Sequence, residues 1–108
     1  MNFDINEVLA NMLIAIKGTV EDNWDEVKST ANQFLQRKKD RLELLAILRI
    51  DGDLSQEKFD SRLKDEKLVT EAELHAIAVI SKAIAQKAAN AAMDILEKAV
   101  NVAISSAL

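Results

Sequence analysis

Residues 70–108 read TEAELHAIAVISKAIAQKAANAAMDILEKAVNVAISSAL. The pattern predicts one helix from Thr70 to Leu108 that is apolar around most of its circumference. Its only steady polar line runs Lys82, Gln86, Asn90, Asp94, Glu97, Asn101 and Ser105. Steps of three and four residues keep to one side of a helix with 3.6 residues per turn. One apolar stripe comprises Ile77, Ile80, Ile84, Ala88, Ala91, Ile95, Ala99 and Val102, with the spacing of a coiled-coil seam. The other comprises Leu74, Ala78, Ala85, Ala89, Met93, Leu96, Val100, Ile104 and Leu108. Its middle is rich in Ala, whose small side chain lets a second helix come close. A helix with so little polar surface requires partners on at least two sides.

The rest of the chain is written in the same helical vocabulary. Its 108 residues include no Pro, no Cys and two Gly. The commonest helix breaker is therefore missing, and tight turns have few places to form. The length suits a single domain over residues 1–108. A net charge of −4 gives no broad positive field, so a nucleic-acid partner is not expected. Without Cys the chain has no disulfide frame and no thiolate chemistry, which suits a reducing, cytoplasmic setting. The apolar stretch Val8 to Ile16 follows Asp4 and Glu7 rather than basic residues, unlike a secretory signal. It is also too short to span a bilayer.

Three helix starts are legible. Asp4 can cap a helix, with Glu7 three residues on and Phe3 able to meet Val8 across the cap. Thr70, Glu73, Val69 and Leu74 repeat that arrangement. Ser55 has the hydrophobic pair Leu54 and Phe59, but Lys58 stands where a capping box carries Glu. Between Asp4 and Arg49, apolar residues from Ile5 to Leu48 hold helical phase, apart from Lys38. One unbroken helix there would be about 70 Å long at 1.5 Å per residue. Lys17-Gly18 resembles a helix end, however, and Asn23 with Glu26 a helix start. A long helix with a bend or break between Gly18 and Asn23 is favoured.

Asp51-Gly52-Asp53 marks the clearest turn, with Gly52 free to take positive φ and two Asp side chains able to cap their own backbone. A short amphipathic helix should then run from Ser55 to about Glu66. The stretch Leu45 to Leu63 resembles the helical hairpin of the family named for its short C-terminal domain, whose turn is written G-x-I-T-x-E-E-F. The matching residues are Gly52, Leu54, Ser55, Glu57 and Phe59. The resemblance implies a hairpin and a role in oligomerisation. It covers under a fifth of the chain, and the family's hairpin normally ends a chain.

Candidate chemistry is sparse. Glu71 and His75 lie one helical turn apart and could offer a metal two ligands, where a site needs three or four. Asp51, Asp53, Ser55 and Glu57 alternate like the start of a calcium loop, but its Gly and Glu positions hold Gln56 and Arg62. Arg37, Lys38, Lys39 and Arg41 form the only basic cluster, on a helix that points them in different directions, so a solvated face is favoured. Trp24 falls in the apolar phase and reads as packing. No catalytic, metal or cofactor residues are assigned.

The expectation is thus an all-α antiparallel bundle of two long helices with a short linking helix, completed by homodimerisation. Its interface would comprise Ile77, Ile80, Ile84, Ala88, Ala91, Met93, Ile95, Leu96, Val100 and Ile104. If residues 5 to 16 fold back over the last helix instead, a monomeric bundle of three or four helices suffices. The functional expectation is a non-catalytic interaction or oligomerisation module whose partner is a second copy or a helix of another protein. The alternatives are a peripheral membrane-surface helix protein and, less favoured, a metal-binding bundle using carboxylates and His.

Overall fold

The computed structural model describes residues 3–107. Those residues form four α-helices and one 3-10 turn, with no strand. Helix α1 spans Ile5–Val20, α2 Trp24–Ile50, α3 Gln56–His75 and α4 Lys82–Ala107. The body measures 43 × 23 × 20 Å. The helices form a ring in chain order, and α4 closes it by packing on α1. α4 also meets α2 across the ring, while the backbones of α1 and α3 stay apart. The last helix thus touches all three others, as its two apolar stripes require.

Helix α1 begins at the expected cap. Asp4 Oδ1 accepts hydrogen bonds from the backbone N–H of Asn6 at 2.9 Å and of Glu7 at 3.4 Å. Asp4→Ala should lower stability by about 1 kcal/mol, read from the denaturant midpoint. The inward face of α1, built from Ile5, Val8, Leu9, Met12 and Ile16, is buried.

The break after α1 falls inside the expected window and is a reversal, not a bend. Gly18 stays helical, and the chain turns over Glu21–Asn23. Glu21 stops the helix with φ 51° and ψ −113°, and its N–H donates to the Lys17 carbonyl. A residue with a Cβ is strained at positive φ, where Gly is not. Glu21→Gly is therefore expected to raise stability by about 1 kcal/mol, or roughly 4 °C in Tm. Reversal lets residues 5–16 lie along α4, so the second apolar stripe is covered within one chain. The motive for obligatory dimerisation disappears with it.

The α2–α3 turn is close to expectation. Gly52 has φ 84°, and backbone bonds from Asp53 and Leu54 to the Leu48 carbonyl, 2.9 and 3.0 Å, close the helix end. Arg49, rather than the two Asp side chains, ties the turn down, donating to Gln56 Oε1 and to the Leu54 carbonyl. Ser55 Oγ accepts from the Lys58 N–H at 3.2 Å, and Leu54 and Phe59 are buried beneath it.

The start expected at Thr70 is corrected. Helix α3 runs for 20 residues through that position, so it is no short linker. Nothing between Glu66 and Thr70 breaks a helix, and the buried face continues as Phe59, Leu63, Glu66, Thr70 and Leu74. Thr70 is fully buried and turns its hydroxyl back to donate to the Glu66 carbonyl at 2.8 Å, so it caps nothing. The true break is Ala76–Ser81. Ser81 Oγ accepts from the Ile84 N–H at 3.2 Å, at the start of α4.

α4 uses its Ala-rich centre as anticipated. Ala85, Ala88, Ala89 and Ala92 are buried, with Met93, Leu96, Val100 and Ala103 carrying the interior toward its end. The polar line faces outward, exposed at every position but Glu97, which is half-buried. Leu108 lies outside the described residues.

Candidate interaction surface

The ten residues expected at an interface divide cleanly. Ile80, Ala88, Met93, Leu96 and Val100 are buried in the chain's own interior. Ile77, Ile84, Ala91, Ile95 and Ile104 are half-buried. Ile77 and Ile80 have left the helix for the α3–α4 turn. The two stripes therefore differ in fate. The second is mostly interior. The first, from Ile84 through Ala91, Ile95 and Ala99 to Val102, lies along the flank of α4 and keeps part of its surface in water.

That flank borders α1. Phe3, Asp4, Glu7, Val8 and Asn11 face Ile95, Lys98, Ala99 and Val102 across a groove of about 310 Å³. A second, shallower hollow continues past Val102 along Asn101, Ser105 and Ser106. Val102 stands between them with 60% of its surface exposed. Asp4 and Glu7 are exposed along the α1 edge of the groove, and Lys98 along the α4 edge. None of the three makes an ion pair among the described residues.

The basic cluster has another use. Arg41 Nε lies 2.7 Å from Glu66 Oε1 and Lys38 Nζ 2.9 Å from Glu66 Oε2. Glu66 is 2% exposed. Lys38 approaches outside hydrogen-bonding directions, so Oε2 is neutralised by charge yet has no hydrogen-bond donor. Arg37 pairs with Glu73 at 2.9 Å and lies 5.9 Å from the Phe34 ring centre. The cluster thus joins α2 to α3 through Lys38, Arg41 and Arg37, while the Arg37 and Arg41 side chains stay largely in solvent. An open hollow beside Glu66 is lined by Arg41, Leu44, Leu48 and Arg62.

The remaining candidates settle into structural positions. Glu71 and His75 lie near the end of α3, not at a helix start. His75 Nδ1 is 3.2 Å from the Ile80 carbonyl, where the Nδ1–H tautomer donates and ties the turn. No three His, Asp or Glu side chains among the described residues converge to hold a metal ion. Trp24 packs half-buried against the core at the α1–α2 reversal. Among the described residues no helix is long and apolar enough to cross a membrane.

The α4 half of the flank is legible in helical spacing, while the α1 half is not assigned by it. Phe3, Glu7 and Asn11 reach the groove only because α1 folds back, which the sequence offers as one of two arrangements of residues 5–16. Compared with protein-family models, curated proteins and solved structures, the chain gives no significant match.

Proposed function

We propose that this chain is a non-catalytic helical interaction module, working in the cytoplasm, that self-associates through the α1/α4 flank. The observation that carries the reading is Val102, 60% exposed at the end of an apolar stripe that lines a groove. Single exposed apolar residues are ordinary on protein surfaces. Here Val102 continues the line of Ile84, Ala91, Ile95 and Ala99, each half-buried, with Phe3 half-buried opposite.

Sedimentation or light scattering up to roughly 100 µM tests the reading, a range that captures dissociation constants of transient complexes. A concentration-dependent dimer is the expected result. Val102→Lys should weaken it while leaving the unfolding midpoint of the dilute protein within about 0.5 kcal/mol, because the site is exposed. A protein that stays monomeric throughout that range would overturn the proposal. A monomer that instead floats with anionic liposomes would replace it with the membrane-surface reading.

A further inference from the structure

We infer that the partner on the α1/α4 flank is a second copy related by a two-fold axis parallel to the helices, with Glu7 of each copy set against Lys98 of the other. The inference rests on the self-association proposed above and adds its geometry. The flank has two edges of opposite charge. Asp4 and Glu7 mark the α1 edge, and Lys98 marks the α4 edge. All three line the same groove, so they lie within one short stretch of the bundle.

A two-fold axis in the interface has two simple settings. Laid across the helices, it inverts the flank end for end and sets α1 over its own copy. Laid along them, it keeps every residue at its height and sets α1 of one copy over α4 of the other. Only the second setting brings the acidic edge onto the basic edge, and symmetry forms the contact twice. It also lays the two copies of the apolar stripe on either side of the axis, where both leave water. Opposite charges around an apolar centre fix orientation and register, and like charges placed there exclude it.

Charge reversal tests the arrangement directly. Glu7→Lys alone sets Lys against Lys98 in both contacts, and Lys98→Glu alone sets Glu against Glu7 in both. Each variant should self-associate at least about tenfold more weakly than the wild-type protein. Mixed in equal amounts, the two variants present one Lys–Glu contact at each site. The mixture should recover a heterodimer of near wild-type affinity, and the double variant E7K/K98E should recover the homodimer. Circular dichroism melts of each variant at low concentration check that the fold is intact.

The outcomes separate the two proposals. If the wild-type chain dimerises and neither reversal weakens it, the geometry is overturned and self-association stands. The geometry is equally overturned if both reversals weaken the dimer and the mixture fails to restore it. If the wild-type chain never dimerises, both proposals fall.

Discussion

Phe59→Ala is expected to remove a large share of the protein's stability. Phe59 is fully buried, among the largest such side chains in the molecule, and sits in the first turn of α3 under the Leu54 staple. Truncation of a buried Phe to Ala costs about 3–5 kcal/mol, through lost transfer energy and the cavity left behind. A domain of this size has only about 5–15 kcal/mol of net stability. Here the loss falls where the α2–α3 turn is anchored, so the hairpin and the core weaken together. Urea unfolding followed by circular dichroism reads the effect. A midpoint shift equivalent to less than about 1 kcal/mol would mean that Phe59 is not the anchor described.

The second large effect belongs to Glu66. Lys38→Met should cost about 3 kcal/mol, the low end for breaking a buried ion pair, because Arg41 still reaches Glu66. The carboxylate is 3% exposed and cannot turn to water in place of its lost cation. Arg41 is 70% exposed and contributes less, since water screens it. Lys38→Met combined with Glu66→Leu should recover most of the loss, because apolar residues of similar volume replace a buried pair at little net cost. The test is the pair of unfolding midpoints. A single variant as stable as the wild-type protein, or a double variant no better than the single, contradicts the account.

Those two residues also show what can be read from this sequence. Turns governed by local chemistry are legible in it. Asp4, Ser55 and Gly52 act within a few residues of themselves, and each does what its type and neighbours dictate. The outward polar line of α4 is legible for the same reason, since helical periodicity is a local property. Thr70 misleads because its neighbours Val69, Glu73 and Leu74 reproduce a capping pattern. Whether such a pattern acts depends on whether the preceding residues are already helical. They are, because Glu66 and Thr70 occupy the inward face and Lys38 and Arg41 supply the compensating charge from another helix. A polar residue on a buried face breaks the apolar periodicity, so the stripe of α3 is hidden.

The reversal at Glu21 is half legible. Its location follows from Gly18 and Asn23, but its sense is set by tertiary packing of Met12 and Ile16, both fully buried. The flank shares that division. Ile84, Ala91, Ile95 and Val102 are visible in the spacing of one helix, while Glu7 joins Lys98 only through the closure of the ring.

Closure of that ring sets a timetable for synthesis. α1 ends at Val20, and the helix that covers it begins at Lys82. At ribosomal speeds of roughly 5–20 residues per second, the first helix waits on the order of ten seconds for its cover. Through that interval Ile5, Leu9, Met12 and Ile16 lack their principal shelter, a condition that invites nascent chains to cling to each other or to a chaperone.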